Sequence, residues 1–208
     1  MQKFLTGNLL LMILATTILF SQSAEPVRHN LVDLQAVISD LVVEMPYATP
    51  HNFTGETLYP ANCAFLVEPA AAALASAASL LREKGYRLKI LDAYRPLSVQ
   101  RKLWEKNPDR NFVAHPSTGS RHNRGASVDL TLITLDGAEV EMPSLYDEFG
   151  AKAGAFQKGL SPAVEANLKT LQQAMLASGF KLLNSEWWHF DHPCWQECPL
   201  LDVPLTEL

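Results

Sequence analysis

Residues 126–133 read ASVDLTLI, an apolar and partly β-branched run with one carboxylate, Asp129, inside it. Such a run predicts a strand. A carboxylate buried in a strand is costly unless something pairs with it. The fold must therefore bring a metal ion, a hydrogen-bonded cation or backbone donors to this strand. His122 lies seven positions upstream in STGSRHNRGASVDLTL. Seven is an odd separation, so on one continuous strand the two side chains would face opposite sides. His122 is therefore expected in the preceding loop, with Gly125 giving the chain freedom to fold back. A carboxylate that holds its own loop through backbone hydrogen bonds is the plainer alternative, and this stretch alone leaves both open.

The surrounding chain mixes helices and strands. EPAAAALASAASLLREKG, Glu68–Gly85, predicts a helix with Pro69 near its start, cations near its end and Gly85 as its stop. YRLKILDAYR alternates and predicts a strand, and PLSVQRKLWEKN predicts a short helix opened by Pro96. Residues 108–124 carry proline and glycine punctuation and predict a loop. GAEVEM is expected as the hairpin partner of the Asp129 strand, with LDG as the turn. SPAVEANLKTLQQAMLASG predicts a helix capped by Ser161 and stopped by Gly179. FKLLNSEWWHFD is expected as a final strand region, and residues 27–46 as a strand running into a loop. No regular βαβ rhythm is present, which favours a single α+β domain over a doubly wound parallel sheet.

The first residues bear on the cellular address. Lys3 precedes an apolar run from Leu9 to Phe20, and small residues follow at Ser21 and Ser23. This is the pattern of a secretory signal peptide over residues 1–23, leaving 24–208 as an exported, periplasmic or secreted domain. The run is shorter than the roughly 20 residues of a spanning helix, so no stable membrane insertion is expected after cleavage. Export permits disulfides. The three cysteines, Cys63, Cys194 and Cys198, allow at most one intramolecular pair, and one is expected. The net charge of −5 and the absence of a basic block argue against nucleic acid as a partner.

A second cluster of chemical side chains is SEWWHFDH, residues 185–192. Glu186 and His189 are also an odd number of positions apart, so a flat strand would separate them. Placing Glu186 at a turn or bulge entering the strand lets both reach one point. His122, Asp129 and His189 are then one carboxylate and two imidazoles, a set that zinc accepts while keeping a fourth position open. Glu186 suits a carboxylate that does not bind the metal and takes a proton from water. Asp191 and His192 rank below these, as supporting or surface groups. Arg95, in LDAYRPLSVQ, either stabilises an oxyanion or pairs with Asp92, and the stretch by itself favours the pairing.

Taken together, SRHNRGASVDLTL, EWWHF and DAYRP resemble the D-alanyl-D-alanine dipeptidases, the VanX-like branch of the zinc D,D-peptidases. YATPHNFTG and LYDEF also look like that family, and the five blocks run in its order from Tyr47 to Phe190. The resemblance implies an α+β fold with a central antiparallel sheet flanked by helices, of the hedgehog-like type. It implies one zinc ion on His122, Asp129 and His189, Glu186 as general base, and Arg95 as transition-state stabiliser. It also implies that Tyr47, Ser120 and Asp147 line the pocket for a free dipeptide. The expected reaction is hydrolysis of D-Ala-D-Ala in cell-wall peptide turnover. The alternatives are a zinc D,D- or L,D-carboxypeptidase acting on peptidoglycan stems, and a non-catalytic zinc-containing module. The tail HPCWQECPLLDVPLTEL has no counterpart in the resemblance.

Overall fold

The computed structural model describes residues 30–208. The expected signal segment lies outside these residues. The chain runs through β1 (Leu31–Asp33), α1 (Leu34–Val37), β2 (Val42–Val43), β3 (Phe65–Val67), α2 (Glu68–Arg82), β4 (Tyr86–Asp92), α3 (Leu97–Lys106), β5 (Ser127–Thr134), α4 (Pro162–Ala177), β6 (Lys181–Leu183) and β7 (Glu186–Asp191). Five strands form the main sheet in the order β2-β4-β5-β7-β6. All its pairings are antiparallel except β2 with β4, which is parallel. A second, two-stranded ribbon pairs β1 with β3.

The helices follow their local signals. In α2 the buried residues Ala70, Ala71, Leu74, Ala77, Ala78 and Leu81 repeat at helical spacing and make one apolar stripe. The Ser161 side chain accepts from the Val164 N–H and so caps α4. The two helices pack on each other, α2 against β4 and α4 against β5 and β6. Strand β5 is central and buried on both faces. Val128, Leu130 and Leu132 join the core built with these helices. Period-two alternation then turns Ser127, Asp129 and Thr131 to the opposite face.

Two irregularities decide what else reaches that face. In β4, Ile90 pairs with Leu130 but Asp92 pairs with Asp129, so Leu91 is an extra residue. The bulge flips the parity of the strand and brings Asp92 to the Asp129 side. In β7, Phe190 pairs with Leu182 while Glu186 pairs with Leu183, leaving Trp187, Trp188 and His189 unmatched on β6. That break lets Glu186 and His189 share a face despite their odd separation.

Several expectations change. The final strand region is two strands, β6 and β7, joined at Asn184–Ser185. GAEVEM contributes a single bridge, Ile133 with Glu139, rather than a strand. β7 pairs only with Ser127–Asp129 on that edge of β5, and beyond it, among the described residues, the edge carries the Ile133–Glu139 bridge and the turn bond from the Thr134 N–H to the Ala138 carbonyl but no longer ladder. The segment before Tyr47 is broken by α1, which Asp33 caps by accepting from the Gln35 N–H. Cys63, Cys194 and Cys198 are free thiols, so the expected disulfide is not formed.

Candidate active site

His122 sits in a 3-10 turn, His122–Arg124, just before β5. The turn closes at Gly125, whose φ of 63° lies in the left-handed region. A Cβ there would come within 2.7 Å of the Leu31 side chain, so glycine also permits close approach of the β1–β3 ribbon. The Val67 N–H donates to the Gly125 carbonyl and holds that approach at 2.9 Å. The loop therefore delivers His122 over Asp129, as the odd separation requires.

Three donor atoms meet on the far face of β5. His122 Nε2 lies 3.1 Å from His189 Nδ1, which lies 2.9 Å from Asp129 Oδ1. The third side, His122 Nε2 to Asp129 Oδ1, is 3.3 Å. Zinc bonds of about 2.0–2.1 Å in tetrahedral geometry put neighbouring ligand atoms about 3.3 Å apart. The triangle therefore has nearly the size of one face of a zinc site. Among the described residues these three form the group able to hold a metal ion. Their outer hydrogen bonds fix which atom faces inward. His122 Nδ1 lies 2.7 Å from the Ala93 carbonyl, and His189 Nε2 lies 3.0 Å from Asp191 Oδ1. The Tyr146 hydroxyl donates to Asp129 Oδ2 at 3.0 Å. Such outer partners orient metal ligands and set the histidine tautomers.

Glu186 stands beside this triangle and outside it, with Oε2 3.9 Å from His189 Nδ1. Burial is the main cause that lifts its carboxyl to about 7; the His189 charge opposes the rise and Asp129 adds to it. Burial also pushes Asp129 up, but the two imidazoles outweigh it and hold that carboxyl below its usual range. His189 is held well above its usual value, because hydrogen bonds to Asp129 and Asp191 overcome its burial. The same negative field that favours a proton there favours a metal cation between the donors.

Arg95 meets the site from the β4–α3 connection. Its Nε donates to Asp92 Oδ2 at 2.9 Å and its Nη1 donates to Gln100 Oε1 at 2.8 Å. Its guanidinium lies 5.6 Å from the centroid of the Tyr47 ring. The pairing with Asp92 is thus real, and Arg95 nevertheless lines the cavity. Asn123 Nδ2 donates to the Arg95 carbonyl, tying this connection to the His122 loop. The Tyr47 hydroxyl donates to Asp147 Oδ2 at 2.8 Å. Burial is the largest cause that raises the Asp147 carboxyl well above its ordinary value. Asp147 also holds a left-handed φ of 58°, unusual for a residue other than glycine. All eight residues expected from the sequence, Tyr47, Arg95, Ser120, His122, Asp129, Asp147, Glu186 and His189, line one cavity of about 260 Å³.

A sequence model of the family described as D-ala-D-ala dipeptidase matches residues 27–200. This chain belongs to that family. The D-alanyl-D-alanine dipeptidase of Escherichia coli K12 is 37% identical over 172 residues, covering 83% of this chain and 89% of the relative. That of Enterococcus faecalis is 32% identical over 165 residues, covering 69% and 82%. Among solved structures, the LdcB LD-carboxypeptidase aligns over 69% of this chain and 67% of its own. Its TM-score of 0.43 and 18% identity are too distant to bear on the reaction.

Membership of the family leaves several site residues that sequence reasoning ranked low or missed. Asp191 is buried against His189, and its position two residues after His189 on a strand was a usable signal. Tyr146, the neighbour of Asp147, gave no signal of its own. Trp188 does serve as a cavity wall and Trp187 donates to Ser144 Oγ at 3.0 Å, so the tryptophan pair packs and encloses at once. His192 turns away, its ring against Phe180.

Proposed function

We propose that this chain is a zinc dipeptidase that hydrolyses D-Ala-D-Ala to two D-Ala. The observation that carries the reading is the buried triangle of His122, Asp129 and His189 with Glu186 beside it. The family match and the relatives named D-alanyl-D-alanine dipeptidase support the substrate. His122, Asp129 and His189 would hold zinc, which when bound supplies Lewis acidity that polarises a carbonyl and acidifies water. Glu186 takes a proton from the attacking water and passes it to the leaving amine. Arg95, already fixed by Asp92 and Gln100, offers a positive charge to the oxyanion of the tetrahedral intermediate. Asp147, steadied by Tyr47, meets the substrate ammonium, and Ser120 lines the wall of the cavity.

The size of the cavity favours a free dipeptide over a long stem peptide. Its volume of about 260 Å³ is below the roughly 300–1,000 Å³ usual for drug-sized ligands. Phe53, Phe112 and Phe149 come from three separate loops and meet at its wall, with ring centroids 5.2 and 4.8 Å apart. Amine release from a panel of D,D-, L,D- and L,L-dipeptides and a muramyl pentapeptide tests the reading. D-Ala-D-Ala should be the preferred substrate, and a chelator should abolish its cleavage. Preference for the pentapeptide would replace this reading with a carboxypeptidase.

The N-terminal segment supports a site of action outside the cytoplasm, in the turnover of cell-wall peptides. Mass spectrometry of the protein from the cell envelope or medium should find a mature N-terminus near residue 24. An intact Met1 on cytoplasmic protein would sink this part of the proposal.

A further inference from the structure

The tail that the family resemblance left unexplained folds back onto the metal-binding loop. It begins with the 3-10 turn Pro193–Gln196 immediately after β7. Trp195, on that turn, lays its ring 4.6 Å from the Arg121 guanidinium and 5.9 Å from that of Arg124. Arg124 also donates to the Cys198 carbonyl. Farther along, the Leu201 N–H donates to the Asn123 carbonyl at 2.8 Å, and the Leu97 N–H donates to the Leu201 carbonyl at 3.1 Å. The tail thus bridges the two connections that carry His122 and Arg95.

Arg121 links this tail to the donor triangle. It donates to Asp191 Oδ2, while Asp191 Oδ1 accepts from Ser127 Oγ at 2.5 Å and faces His189 Nε2 at 3.0 Å. One oxygen is therefore set by Arg121 and the other by Ser127 and the imidazole, so the carboxylate cannot rotate freely. Arg121 is half exposed, its side chain 41% accessible, whereas that of Asp191 is 3% accessible. Alone, a half-exposed arginine would trade its carboxylate for water at little cost. The Trp195 face restrains it, since a ring under a guanidinium is attractive and removes part of its freedom.

We infer that Trp195 and Arg121 are positioning residues for the metal site: the tail holds Arg121, Arg121 holds Asp191, and Asp191 orients His189 Nδ1 toward the metal. The inference rests on the reading that His122, Asp129 and His189 bind zinc. It gives the tail a role beyond its packing, in which Leu201 and Leu205 join the core.

The test measures zinc affinity of the purified full chain by competition with a chelator, together with its melting temperature free of metal. Arg121→Met should weaken zinc binding by about tenfold, the lower end of the range for loss of an outer partner, because Arg121 acts through Asp191. Trp195→Leu keeps the apolar bulk but removes the ring, and should weaken it by about threefold to tenfold. Arg121→Lys and Trp195→Phe should each recover part of the loss. The double variant Arg121→Met/Trp195→Leu should bind no worse than Arg121→Met alone, because the ring acts through the arginine. Arg121→Met leaves the buried Asp191 with only Ser127 and His189, so its metal-free melting temperature should fall by a few degrees, whereas Trp195→Leu should melt near the native temperature. Native-like zinc binding by both single variants would overturn the inference, and so would a loss in Trp195→Leu matched by lower metal-free stability. A native chain that binds no zinc would instead overturn the metal reading itself.

Discussion

Replacing Glu186 with glutamine should lower kcat by about 10²–10⁴-fold, the usual worth of a positioned acid or base, while zinc stays bound. The separation follows from the geometry. Glu186 is 3.9 Å from His189 Nδ1 and is not one of the three donors, so its charge is not needed to hold the ion. Glutamine keeps the size and the start of β7 but cannot accept a proton. KM should change little, since the cavity wall is preserved. Metal analysis alongside turnover decides the matter. Loss of zinc in Glu186→Gln would make the residue a ligand, and full turnover would remove it from the mechanism.

Arg95→Met should reduce kcat by about 10²–10³-fold, comparable to removal of one oxyanion donor, and should also destabilise the fold. Both effects are expected because Arg95 pairs with the buried Asp92 and, in the proposed mechanism, also faces the oxyanion. Asp92 is fully buried, and without Arg95 its carboxylate keeps only the Tyr59 hydroxyl and the Ala93 N–H. Breaking a buried pair costs about 3–5 kcal/mol, and the two remaining donors favour the lower end. For a domain of this size about 3 kcal/mol is a fall of roughly 6–12 °C in Tm. Arg95→Lys separates the two effects. Lysine keeps a charge near Asp92 but cannot reach Asp92 and Gln100 together with a rigid fork. Its Tm should fall less than that of Arg95→Met, while its kcat falls almost as far. Native kcat in Arg95→Lys, assayed well below its melting temperature, would make Arg95 a structural residue only.

Much of the site was legible because parity on strands is a local property. Asp129 in an apolar strand demanded a partner, and its odd separation from His122 demanded a loop. The odd separation of Glu186 and His189 demanded a break in regular pairing, which β7 shows against β6. Helices α2 and α4 were equally legible, since proline starts, the Ser161 cap and apolar stripes lie within one stretch of chain. The errors fall where a partner is remote. GAEVEM alternates well enough for a strand, but only Glu139 bridges to β5, at Ile133. The final strand region was split by a two-residue turn, Asn184–Ser185, that carries no glycine to mark it.

The sequence by itself determined the chemistry: two imidazoles and a carboxylate for a metal, a second carboxylate beside them, and an arginine after a strand. It did so because residue type and spacing limit which groups can converge. Only the tertiary structure decided which atoms face the centre of the triangle. His122 presents Nε2 because the Ala93 carbonyl lies at its Nδ1, and His189 presents Nδ1 because Asp191 lies at its Nε2. Only the extra residue in β4 places Asp92 beside Asp129, where it can hold Arg95. Only the returning tail brings Trp195 to Arg121. These are directions in space set by hydrogen bonds and packing between distant segments, and no local spacing encodes them.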